Sequence, residues 1–108
     1  MSYFVYILKC TDASYYTGST HTLEKRFAEH QSGEMKGYTS SRLPVELVWH
    51  QEFPNQNEAF LAERQIKGWS RAKKEALIRN DFDLIHHIVE QERITRRAKN
   101  REEKDEAS

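Results

Sequence analysis

Disulfides, cysteine-ligated zinc, membrane spans and a field of one sign all find little support in this chain. One residue of 108 is cysteine, Cys10, and a lone thiol excludes a disulfide framework within the chain and a cysteine-based zinc site. No run of about eighteen apolar residues occurs, and the N-terminus lacks the basic-then-apolar layout of a signal peptide, which argues against export and membrane spanning. Seventeen Lys and Arg balance seventeen Asp and Glu, so a polyanionic partner must be met by a local patch. There is no internal repeat and no Gly/Ser linker. With 37% hydrophobic residues, the chain has material for one core. The expectation is a cytoplasmic protein with one domain over residues 1–91.

What is present is a series of short patterned segments. Tyr3 to Lys9 is aromatic and β-branched without interruption, the pattern of a strand buried on both faces. Thr11 to Ser14 supplies turn formers, and Tyr15 to Ser19 returns antiparallel to complete a hairpin. Thr22 offers an N-cap and Leu23 with Phe27 an apolar stripe for a helix over residues 23–32, stopped by Gly33. Ser32 to Ser41 reads as a surface loop. Pro44 to Phe53 reads as a third strand alternating Val45, Leu47 and Trp49 with Glu46, Val48 and His50. Asn55 and Glu58 resemble a capping box, opening a helix that carries Phe60, Leu61, Ile66 and Trp69. Ser70 caps a further helix to Arg79, and Asp81 or Asp83 a last one striped by Phe82, Ile85, Ile88 and Val89. The order β-β-α-β-α-α-α predicts a small α+β domain with a three-stranded antiparallel or mixed sheet flanked by helices. From Glu92 to Ser108 the only large apolar residue is Ile94, so residues 92–108 read as a charged helical or disordered tail.

Several polar side chains fall where packing alone does not ask for them. Tyr6 lies mid-strand and Tyr16 in the returning strand; a suitable register puts both on one sheet face. Gly18 then leaves that face bare, one way to let a ligand or backbone approach. Arg26 and His30 share a face of the first helix, and Glu63 sits three residues from Phe60 and from Ile66 on the inward side of the second. A carboxylate there needs a partner, such as Arg26, or a metal. Two tyrosines, an arginine, a histidine and a glutamate on one inward surface suit phosphoryl chemistry: a group to take a proton from water, a guanidinium for phosphate, a carboxylate for a divalent cation. Between Arg64 and Arg79, six cations face Glu75 alone. That island of net +5 reads either as a solvated helix face or as a phosphate-facing patch of Lys67, Arg71, Lys73 and Lys74.

This ordered set resembles the GIY-YIG nuclease family. Phe4-Val5-Tyr6 looks like its first motif, Tyr16-Thr17-Gly18 like its second, and Arg26, His30 and Glu63 follow in the family's order. Val5 to Cys10 and Lys67 to Lys74 are similar to its small stand-alone bacterial branch. The resemblance runs from about Tyr3 to Ile78 and implies a metal-dependent endonuclease acting on DNA, with RNA a second possible substrate, in repair or processing. By similarity, Glu63 holds Mg2+ or Mn2+ and Arg26 neutralises charge building on the phosphate. Tyr16 orients water or phosphate, and Tyr6 or His30 activates the water. A free tyrosine has a pKa of about 10, so Tyr6 as base needs nearby positive charge; His30 needs none. Phe4 stands where the family has glycine, and Val5 and Thr17 where it has isoleucine. Ser19 stands where some members have lysine, and Asn80 alone could match an asparagine beyond the glutamate. The alternative is a nucleic-acid-binding adaptor of the same fold without turnover. A domain this short has no separate DNA-reading module, so preference must come from the 32–41 loop, the basic island or a protein partner.

Overall fold

Val5, Tyr6, Ile7 and Leu8 are each at most 1% exposed. The reason is their place in the sheet. Strand β1, Tyr3–Lys9, is central, with β2, Tyr15–Thr20, and β3, Glu46–Phe53, both antiparallel to it in the order β2-β1-β3. In a strand paired on both edges and covered on both faces, no polar alternation is needed. The computed structural model describes residues 2–87, 90, 91 and 93–95. They fall into two compact units, Met1–Trp69 and Ser70–Ser108.

The β1–β2 hairpin turns through Asp12, whose Oδ1 accepts the Ser14 N–H at 3.0 Å, with Ala13 in the left-handed region at φ 67°. Helix α1, Leu23–Ser32, stops at Gly33 with φ 80°, where a Cβ would be strained. Thr22 stands at its N-cap position, but its side chain makes no capping bond; the Thr22 N–H goes instead to Thr20 Oγ1 at 3.0 Å. The stripe of Leu23 and Phe27 continues to His30, the buried residue of α1. Helix α2, Gln56–Lys67, is capped as expected, Asn55 Oδ1 accepting the Glu58 N–H at 2.9 Å.

One face of the sheet builds a cluster of Tyr6, Leu8, Cys10 and Val45, against which Tyr16, Leu23, Phe27, Leu43 and Leu47 pack. Helix α2 contacts all three strands and buries Ala59 and Ile66. Strand β3 departs from the expected alternation. Ile7 pairs with Trp49 but Leu8 with Leu47, so Val48 is an extra residue in a bulge. Because cross-strand partners share a face, Leu47 joins the Leu8 side and Trp49 the opposite one; a bulge breaks the period of two. No helix among the described residues is long and apolar enough to cross a membrane.

In the second unit, α3, Arg71–Ile78, is capped by Ser70, which accepts the Lys73 N–H at 3.3 Å. Residues 82–87 are helical, and Asp81 Oδ1 accepts the Leu84 N–H at 3.0 Å. Ile88 and Val89, expected to extend that stripe, lie outside the described residues, as does the tail except for 93–95.

Candidate active site

The hairpin register pairs Tyr6 with Gly18 and Leu8 with Tyr16, so Tyr6, Tyr16 and Gly18 share a face. Gly18 does not admit a ligand there. A Cβ on Gly18 would lie 2.5 Å from Tyr6 Oη and 2.6 Å from its Cζ, so the missing side chain makes room for the phenol itself. Tyr6 thus crosses β2, the edge strand, and its hydroxyl meets His30 Nε2 at 2.9 Å. His30 Nδ1 lies 2.8 Å from Thr39 Oγ1. His30 is 1% exposed and Thr39 2%, so a tyrosine, a histidine and a threonine from a strand, a helix and a loop form one buried line.

Burial, then the neighbouring Tyr16, holds the Tyr6 phenol well above the usual tyrosine range, opposed by the charge and side-chain hydrogen bond of Arg26, while Glu63 adds to the rise. The phenol therefore keeps its proton and donates it to Nε2, which leaves the ring proton on Nδ1 for Thr39 to accept. Burial, followed by the charge of Arg26, pushes His30 below its ordinary value, with Glu29 opposing. The imidazole is neutral near pH 7 and has one nitrogen able to take a proton. Tyr16 packs beside both rings, 6.4 Å from Tyr6 and 5.1 Å from His30 between centroids. Tyr38 stacks on Tyr16 at 6.3 Å and carries the Arg42 guanidinium 3.9 Å above its ring. Arg42 is itself anchored by Nε to Asp12 Oδ2 at 3.0 Å.

Arg26 lies 3.7 Å from Glu29, yet its buried Nε has no hydrogen-bond partner. An unsatisfied guanidinium donor beside Tyr6 is expensive unless a ligand completes it. Glu63 arrives from the other side of the sheet. Its Oε2 accepts a 2.8 Å hydrogen bond from Ser19, and Ser19 pairs with Val5, on the face opposite Tyr6. The five residues expected on one surface therefore straddle the β2 edge, with Tyr6, Tyr16, His30 and, hydrogen-bonded to Tyr6, Arg26 on one side and Glu63 on the other. Glu63 Oε1 is 3.0 Å from Lys67 Nζ. Ser19 brings no cation to the site; the one paired with Glu63 is Lys67, a helical turn away on α2.

Among the described residues no group of three or more His, Cys, Asp or Glu side chains could hold a metal. Glu63 is a single carboxylate, its side chain 14% exposed. A single carboxylate suits a divalent cation that keeps most of its water rather than one enclosed in a protein cage. The other expected cations are disposed differently. Lys67 faces Glu63, Arg71 Nε meets Glu75 Oε1 at 2.9 Å, Lys73 is 7% exposed and Lys74 is half-buried. Asn80 has φ 57° and its N–H bonds Leu77 O at the end of α3, a backbone role that asparagine tolerates.

Thr39, Tyr38 and Arg42 escape the sequence reading because a Gly- and Ser-containing loop has no periodicity to mark an inward side chain. An aromatic followed by threonine in so polar a stretch is the one available signal.

A profile of the GIY-YIG catalytic domain matches residues 2–76. The chain belongs to the GIY-YIG family. The match takes in the hairpin, α1, β3 and α2. Within the family the chain is similar to a UPF0213 protein of Natronomonas pharaonis, 46% identical over 79 residues that cover 73% of this chain and 93% of the relative. It is also 46% identical over 81 residues to a UPF0213 protein of Lactococcus lactis, covering 74% and 78%. A solution NMR structure of an E. faecalis protein superposes with a TM-score of 0.53 at 36% identity, covering 78% of this chain and 88% of that one. The α+β domain expected from the element order, with the GIY-YIG-like fold that the resemblance implied, is the fold found.

Proposed function

We propose that this GIY-YIG protein is a metal-dependent endonuclease that hydrolyses phosphodiester bonds of DNA and is selective for strand structure, acting in repair or processing within the cytoplasm. The observation that carries this reading is the buried line from Tyr6 Oη through His30 to Thr39, flanked by a guanidinium with an unsatisfied donor. As water attacks, its proton passes to Tyr6 Oη while Tyr6 passes its own to His30 Nε2, so no free phenolate has to form. Thr39 holds the ring so that this nitrogen carries the lone pair. The Arg26 guanidinium, whose Nε lies 3.7 Å from Glu29 without a hydrogen bond, engages a phosphate oxygen as charge develops there. The Tyr16 hydroxyl orients water or phosphate, its ring held by Tyr38. Mg2+ or Mn2+ bound at Glu63 would supply Lewis-acid stabilisation of the phosphate and the leaving oxygen. Lys67, half in solvent, is free to move from Glu63 to a neighbouring phosphate; in the second unit Arg71 and Lys74 offer further cations to a nucleic-acid backbone, while Lys73 is buried.

A second reading, a nucleic-acid-binding adaptor without turnover, draws on Glu63 having both oxygens already engaged by Ser19 and Lys67. Labelled linear, flapped and branched DNA and RNA, each with Mg2+, Mn2+ or chelator, separate the two. The nuclease cuts DNA with metal, stops with chelator, and loses cleavage in Glu63→Ala and Arg26→Ala. Equal cutting by parent and both variants would sink the assignment; salt-dependent binding with no product on any substrate would leave the adaptor.

A further inference from the structure

Helix α2 spends an aromatic residue on solvent. Ala59 and Ile66 are its buried positions, while Phe60 remains 49% exposed, an arrangement that packing does not explain. Spacing places Phe60, Glu63, Arg64 and Lys67 along one side of the helix, at intervals of three, four and seven residues from Phe60. The contacts agree: the Arg64 guanidinium lies 5.8 Å from the Phe60 ring centroid, and Lys67 pairs with Glu63. One side of α2 therefore carries, in order, a flat apolar ring, the candidate metal carboxylate and two cations.

Beside that ring is a cleft of about 300 Å³ lined by Ser19, Gln56, Asn57 and Phe60. Ser19 connects it to the chemistry, since the same hydroxyl that lines the cleft donates to Glu63. Gln56 and Asn57, in the first turn, present exposed amides, groups that can both donate to and accept from the edge of a nucleobase. The volume lies at the small end of ligand sites. It suits one planar ring and excludes a base pair still stacked in a duplex.

We infer that this cleft takes a single unpaired nucleobase of a DNA strand, stacked on Phe60, read at its edge by Gln56 and Asn57, and flanked by Arg64 for the adjoining phosphate. In a duplex each base face is covered by its neighbours, so only an unpaired nucleotide can offer its π-face to Phe60. The inference rests on the reading of DNA as substrate and deepens it: the preferred strand has an unpaired nucleotide next to the phosphate to be cut.

Binding measured in chelator tests this without relying on cleavage. Fluorescence anisotropy with the full chain is read on single-stranded, flapped and blunt duplex DNA of equal length and on single-stranded RNA, with 2-aminopurine in a parallel set to report stacking. The expected result is tighter binding of single-stranded and flapped DNA than of duplex. Phe60→Ala should weaken those two by about tenfold, abolish the 2-aminopurine quench and leave duplex binding within about twofold. Phe60→Trp should restore the preference, and Leu61→Ala, at an exposed neighbour, should leave it intact. Equal loss on all substrates, a Phe60→Ala protein that binds like the parent, or a preference for RNA overturns the proposal. So does an equal effect of Leu61→Ala, which would mark a general apolar patch for a protein partner. If cleavage is never found but the Phe60-dependent preference is, the cleft stands and the nuclease reading falls.

Discussion

Thr39 is a small residue with a large responsibility, because the lone pair on His30 Nε2 depends on where the other ring nitrogen sends its proton. Thr39→Val keeps the shape and removes the acceptor, leaving a buried Nδ1–H unpaired. A loss of about 1–3 kcal/mol in urea denaturation is expected, together with loss of cleavage, and Thr39→Ser should recover most of both. A valine protein as stable and active as the parent would show that the 2.8 Å contact has no such role. His30 makes a second prediction, through pH. Its folded pKa lies below the ordinary 6.5, so above that value the imidazole is neutral in both states and contributes no pH dependence. As pH falls below 6.5, the unfolded ring takes up a proton that the folded ring resists, and stability drops until the folded pKa is passed. Denaturation midpoints at pH 7.5, 6.5 and 5.5 should fall less steeply in His30→Gln than in the parent; parallel profiles would contradict the assignment.

Elements were legible in this sequence wherever one local rule governed them. The unbroken apolar run of β1, the Asn55 and Ser70 caps and the glycine stop of α1 each announce a physical requirement within a few residues of chain. Strand β3 was legible as a strand but not in its facing, because the extra residue at Val48 depends on pairing with β1, which no local pattern records. The β1–β2 turn shows the opposite case, a local conflict that the fold overrides. Ala13 sits at φ 67°, where a Cβ costs roughly 1–2 kcal/mol. Ala13→Gly should therefore raise stability, by less than that amount since glycine also loosens the unfolded chain. A lower denaturation midpoint in the glycine protein would refute the strain.

Over the whole molecule, net charge zero proves compatible with a charged site because the charges are already spent on one another. Glu63 with Lys67, Arg71 with Glu75 and Arg42 with Asp12 are all close pairs. The sequence could nominate Tyr6, Tyr16, Arg26, His30 and Glu63 as candidates but neither the loop residues Tyr38, Thr39 and Arg42 beside them nor the distribution of the set over two faces of the sheet, since these follow from register, loop path and the path of α2. With a single carboxylate and no cluster of ligands among the described residues, metal in the absence of DNA should bind weakly. Melting temperatures in millimolar Mg2+ and in chelator should agree to within about a degree; a rise of several degrees with metal alone would reveal a preformed cage. Tyr6 belongs to the strand hydrogen-bonded on both edges, whereas Glu63 is steadied by a serine and by a lysine that is 53% exposed. The two halves of the site therefore keep different clocks. The tyrosine is released by the slow, cooperative opening that dismantles the sheet, while the lysine can leave the glutamate by rotamer hops of picoseconds to nanoseconds, so in the proposed mechanism proton handling would be fixed for the lifetime of the fold and ion handling renewed at every encounter.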